Sequence, residues 1–174
     1  ATRADAALRD LAAGVTNASD PLGLAHRLSA AVSEAIAYRP GRTEFHTTAA
    51  EALAQGEGVC QDHAHALIAV ARLRDLPARY VSGYLHSTAG GEAHEAAHAW
   101  AEIHVQGLGW VGFDPANRCC PDERYVRLGS GLDALDAAPI RGIAAGQGIE
   151  TLDVAVNVEE VDRFQTQSQS QTQS

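Results

Sequence analysis

The chain has 174 residues, 45% of them hydrophobic, which suffices to bury one core; no apolar run approaches the roughly 18 residues of a membrane span, so no membrane segment is expected. The formal charge is -9 and all 13 basic residues are arginines scattered along the chain, which argues against a phosphate-tracking surface and excludes nucleic acid as a partner. Three cysteines, two of them adjacent, do not form the even framework of a secreted disulfide scaffold, and a reducing, cytoplasmic compartment is expected.

The opening ATRAD lacks the basic-then-apolar layout of a signal peptide. With no methionine in the chain, it reads as a processed start or as the edge of a segment cut from a longer protein. Residues 4–14, rich in alanine and leucine at helical spacing, predict a helix that Gly14 stops. Ser19 or Asp20 is placed to cap a second helix with Pro21 in its first position and Leu24, Leu28, Val32 and Ile36 along one face. YRPGR (38–42) is turn chemistry, and TAAEALAQGEG (48–58) predicts a short helix ended by glycines. From Cys60 to about Arg74 the pattern is that of a buried central helix, which Pro77 prevents from continuing.

The period then changes from helical to alternating. Strands are predicted over 78–86, 98–105 and 109–113, the last two joined by a short QGLG turn, in an antiparallel sheet. The polar loop STAGGEAHEAA (87–97) is a candidate lid or a plain surface connection. Beyond Pro115 the sequence is irregular: PDERY suggests a helical turn and 129–148 a glycine-punctuated loop. TLDVAVNVEEV (151–161) alternates as one more strand. One domain is expected over 1–164, followed by a low-complexity Gln/Ser/Thr tail over 165–174, which lacks the apolar surface to offset its ordering entropy. The pattern carries no signal for an oligomeric state.

GVCQDHAHAL (58–67) places a cysteine at the head of a helix that also carries two histidines. A zinc site would use Cys60 and His63, three apart on one face, but His65 points elsewhere and no second CxxC or HxxxH supplies the remaining ligands. A disulfide from Cys60 to Cys119 or Cys120 would leave an odd thiol, and an inert core cysteine is the bland alternative. Against inertness stands position. The first turn of a helix offers unpaired N–H groups and the positive end of the dipole, both of which favour thiolate over thiol.

Such a nucleophile needs a base, and the base an orienting partner. In HAWAEIH, alternation sets His98, Trp100, Glu102 and His104 on one strand face, with His98 at the strand's start. A lone strand histidine is more often a structural hydrogen bonder. GWVGFDP ends its strand with Asp114 before a proline, where a carboxylate can face the start of the neighbouring strand, although DP by itself is mostly a turn signal. The order and placement of the three allow them to converge at one sheet edge.

GVCQDHAHALIAVARLRDLPARYVSGYL, AHAWAEIHVQGLGWVGFDPAN, PDERYVRLG and APIRG together resemble the bacterial transglutaminase-like cysteine proteases of the papain-like superfamily, over about residues 21–161. The resemblance implies an α+β, papain-like/transglutaminase-like core, with N-terminal helices and the cysteine helix packed on an antiparallel sheet. It also implies Cys60 as nucleophile, His98 as general base and acid, and Asp114 as the group that fixes the imidazole. The implied chemistry is acyl transfer without metal or cofactor. The thiolate attacks a peptide or protein amide, the backbone N–H of Cys60 and a second donor hold the oxyanion, and a thioester forms.

Gln61 and Tyr38 are the candidates for that second donor, and Trp100, His63 and Trp110 are candidate substrate-pocket residues. His63 stands where the family usually carries phenylalanine, and Leu132 and Ala134 where arginine and tyrosine are common, so substrate contacts are expected to differ. The vicinal Cys119 and Cys120 are packing thiols or an oxidation-sensitive pair near Asp114. Related proteins often carry an N-terminal β-rich domain before this core. Hydrolysis is the first expectation, transfer of a glutamine acyl group to an amine the alternative, and a non-catalytic binding module that keeps the fold the second alternative.

Overall fold

The computed structural model describes residues 1–87 and 94–139. Helix α1 (Ala6–Gly14) starts where the Asp5 carboxylate accepts the Leu8 N–H, and α2 (Pro21–Ala35) where Asp20 accepts the N–H of Gly23 at 2.7 Å with proline in the first turn. Asp20, not Ser19, is therefore the cap. Leu28, Val32 and Ile36 are buried and Leu24 partly so, as the helical spacing predicts. A third helix, α3 (Ala49–Gln55), opens with a capping box between Thr48 and Glu51 and closes on Gly56, whose φ of 68° suits glycine.

Between these helices lies a feature that the turn chemistry did not announce. β1 (Ala37–Tyr38) pairs in parallel with β2 (Glu57–Gly58), joined by Arg39 N–H to Gly58 O and Ala37 N–H to Gly56 O, each 2.8 Å. This short ladder sets Tyr38 beside the residues that lead into Cys60.

Helix α4 (Cys60–Leu73) is the axis of the domain: every residue from Asp62 to Ala71 is buried. Its alanines at 64, 66, 69 and 71 let neighbouring elements approach closely, while Leu67, Ile68 and Val70 fill the space between helices and sheet. The sheet contains β3 (Ala78–Ser87), β4 (His94–Val105), β5 (Gly109–Phe113) and β6 (Tyr125–Gly131), in the order β5-β4-β3-β6 and antiparallel throughout. The α+β class and the cysteine helix packed on an antiparallel sheet thus match the expectation. Ala99, Ala101 and Ile103 of β4 belong to the core; on the other face Glu102 bonds Arg79 at 2.6 Å and meets Arg127 at 3.3 Å.

Two local expectations differ from the structure. The predicted loop 87–97 is shorter, because Ser87 and His94 are already ladder partners; the remaining residues of the candidate lid, 88–93, lie outside the described residues. The suggested helical turn at PDERY instead leads into β6, whose strand takes up Gly129 and Gly131 from the predicted loop. The strand proposed for 151–161 and the tail 165–174 also lie outside the described residues. Among the described residues no helix is long and apolar enough to cross a membrane.

Candidate active site

Cys60 is the first residue of α4, held there by what precedes and follows it. The Asp62 carboxylate, fully buried, accepts the Val59 N–H at 2.8 Å and the Thr43 hydroxyl at 2.6 Å. Gly58 must be glycine: a Cβ there would lie 2.8 Å from the Asp62 side chain. His63, also buried, faces Val59 O with Nδ1 and Ile36 O with Nε2, each at 2.8 Å, and so ties the start of α4 to the end of α2.

His98 lies on β4 opposite Gly83 of β3. Its side chain is nearly buried, stacked on Trp100 at a centroid distance of 6.3 Å and edge-on to Tyr125 at 5.7 Å. The β4–β5 ladder ends at Ala101↔Phe113, so Asp114 leaves it and is fixed instead by paired backbone bonds with Cys119. That turn aims the carboxylate at His98: Oδ2 lies 2.6 Å from Nε2. Cys60 reaches the ring from α4 as a hydrogen-bonding and charged neighbour, and the Asn117 amide Nδ2 lies 3.3 Å from Nε2. Residues from α4, β4 and the turn after β5 thus meet at one ring.

The electrostatics favour a charged imidazole. Burial disfavours the cation, but hydrogen bonds and negative charge from Asp114 and Cys60 outweigh it and push His98 from 6.5 to about 9. For Asp114, burial opposes ionisation, yet His98, Tyr125 and Asn117 hold its pKa below the usual carboxylate value. Two of these partners were not anticipated. The Tyr125 hydroxyl and the Asn117 amide each donate to Oδ2 at 2.8 Å, and the Asn117 backbone N–H donates to Oδ1 at 3.2 Å. Asn117 follows Asp114 by three residues, the spacing of a side-chain-capped turn, and was the legible signal. Tyr125 was hidden because β6 was.

A groove of about 340 Å³ opens beside Cys60 and His98. Gln61 lines it, but its Nε2 already donates to Phe45 O at 2.9 Å. Tyr38 is half exposed; partial burial, then the charges of Cys60 and Asp114, push its pKa up, so it remains an O–H donor. The substrate-pocket candidates fall elsewhere. His63 is internal, its two ring nitrogens facing backbone carbonyls. Trp100 is buried behind His98 against Gly83 and Tyr125, and Trp110 lies under the Arg79 guanidinium and beside His104 near the far end of β4. None of the three lines the groove.

All three cysteines are free, so Cys60 is not in a disulfide with Cys119 or Cys120. The Cys119 thiol lies 3.2 Å from the Tyr125 hydroxyl; since that hydroxyl gives its proton to Asp114, the thiol is the donor. Among the described residues no group of three or more His, Cys, Asp or Glu side chains is arranged to hold a metal ion.

The sequence profile of the Transglutaminase-like superfamily matches residues 9–115. The chain belongs to this superfamily. It is 41% identical over 125 residues to the uncharacterized protein ML0607 of Mycobacterium leprae, covering 70% of this chain and 44% of that protein, so it spans less than half of that relative's length. It is 34% identical over 86 residues to the protein-glutamine gamma-glutamyltransferase of Pseudomonas aeruginosa, covering 44% of this chain and 12% of that enzyme. Among solved structures, a candidate cysteine protease from Cytophaga hutchinsonii superimposes with a TM-score of 0.64 at 28% identity, covering 89% of this chain and 54% of the other. Transglutaminase-like chains thus have both a protease-type and a transferase relative.

Proposed function

We propose that this transglutaminase-like chain is a cysteine-dependent acyl-transfer enzyme that hydrolyses peptide or protein amide bonds through a thioester on Cys60. The observation that carries the reading is the His98 ring, held by Asp114 at 2.6 Å and lining the same groove as Cys60. With His98 protonated, Cys60 sulfur attacks the amide carbonyl carbon and the negative charge moves to oxygen. The backbone N–H of Cys60, in the first turn where helical acceptors are missing, receives that charge. Tyr38 suits the role of second donor better than the Gln61 side chain, whose amide is occupied by Phe45.

As the carbon–nitrogen bond breaks, His98 gives its proton to the departing amine, leaving the thioester. Water then attacks the carbonyl, His98 takes its proton, and the carbon–sulfur bond breaks to release a carboxylic acid and restore the thiolate–imidazolium pair. Asp114 keeps the ring turned so that the same nitrogen serves both steps. No cofactor enters this cycle. A cytoplasmic setting is proposed on the cysteine usage, since a reducing compartment keeps three thiols free.

Glutamine-to-amine transfer is the second reading, favoured by the identity with the Pseudomonas transferase. The test is a screen of peptide and isopeptide amides with and without an added primary amine, read by mass spectrometry with Cys60→Ala as control. Hydrolysed product that disappears in the Cys60→Ala variant is expected. An amine adduct as the main product would replace hydrolysis with transfer.

A further inference from the structure

We infer that the groove beside Cys60 selects an uncharged, apolar side chain, so that the substrate is an extended polypeptide with an apolar residue close to the amide under attack. This inference rests on the acyl-transfer reading above and adds the substrate's chemistry. The groove walls come from Phe45, Tyr80, Tyr84 and Leu128, and Ala134 and Ala138 leave room between them. Among the described residues, no arginine, aspartate or glutamate lines the groove. A charged substrate side chain would therefore be desolvated there with no charged neighbour beyond the His98–Cys60 pair, whose charges offset one another. Two of the groove's neutral polar side chains already have protein partners: Ser82 donates its hydroxyl to Ala137 O at 2.6 Å, and Gln61 donates to Phe45 O.

The surface around the groove agrees with its interior. Phe45 and Leu128 are about half exposed while lining it, and Leu132 and Leu135, both exposed, flank Ala134 on the same loop. Exposed apolar side chains gathered at a reactive cleft mark a surface that an apolar partner covers. The occupant is continuous with the reacting amide, which makes it a peptide segment. Leu128 is the specificity position: it sits on β6 between Arg127, which turns to Glu102 on the other face, and Gly129, which packs under Ala137.

The experiment uses N-acetylated, C-amidated hexapeptides in which one position is Leu, Ala, Glu or Arg, scanned along the peptide. Affinity is measured with the Cys60→Ala protein, and turnover with the unmodified protein. At one position, Leu is expected to be favoured at least tenfold over Glu and Arg in both readouts, a discrimination typical of a side-chain pocket. Leu128→Arg should raise affinity for the Glu peptide and shrink the Leu-to-Glu ratio at least tenfold, a gain that misfolding does not produce. Equal affinities at every position, no binding, or a ratio unchanged by Leu128→Arg would overturn the inference. Selective binding without turnover would sink the acyl-transfer reading and leave the groove assignment standing, whereas turnover without selectivity would do the reverse.

Discussion

Three donors converge on Oδ2 of Asp114: His98 Nε2, the Tyr125 hydroxyl and the Asn117 amide. The carboxylate is fully buried, so its charge depends on these bonds, and through them it holds the imidazole charged up to about pH 9. Because His98 is raised on folding, the stability it contributes is complete below about 6.5 and is lost as pH rises through about 9. Activity should follow the same group: kcat/KM falls as pH rises through about 9, when His98 can no longer protonate the leaving amine. Asp114→Asn removes the charge and should shift that alkaline limb toward 6.5, checked by pH–rate profiles of both proteins; an unmoved limb would detach Asp114 from His98. At this scale the sequence was readable where a residue type sat on a recognisable pattern, as Cys60 at a helix head does; His98, expected at a strand start, instead lies inside β4, which begins at His94. The pocket candidates were not readable in the same way. An indole or imidazole beside a reactive residue in sequence says nothing of which way its strand or helix turns it, and His63 and Trp100 turn inward.

At the level of elements, β3 and β4 carry the site through one glycine. A Cβ on Gly83 would meet Val126 O at 2.0 Å and the Trp100 indole at 2.8 Å, at the point where the β3–β6 register shifts. The absence of a side chain lets Trp100 lie over β3 and support the His98 ring stacked upon it. Gly83→Ala is therefore expected to cost about 1–3 kcal/mol, the usual penalty of overpacking. It should also reduce turnover, with the urea midpoint and kcat measured on the same preparation; a variant equal to the parent in both would show that β6 shifts freely. Helices were legible because caps and periodicity agree, as at Asp20 and Pro21 or Thr48 and Glu51. Strand β6 was not, since its glycines and turn-like approach read as loop until β3 supplies the partner that makes it a strand. The two-residue β1–β2 ladder is too short to leave a period in the sequence.

Across the whole molecule, α4 joins the two halves of the design: its body is core, and its first residue is the candidate nucleophile. Helices on one side and the sheet on the other hold the thiol at a fixed height above β4, while the turn after β5 brings Asp114 back to the same ring. Rigid support on three elements is what lets the placement of Cys60 be set by folding. The most direct test is the rate at which iodoacetamide alkylates Cys60 at pH 7, followed by mass spectrometry of its peptide, in the parent protein and in His98→Ala. Faster labelling of Cys60 than of Cys119 or Cys120, slowed at least tenfold in the variant, is the result predicted. Equally slow labelling of Cys60 in both proteins would contradict the account and leave a binding scaffold in its place.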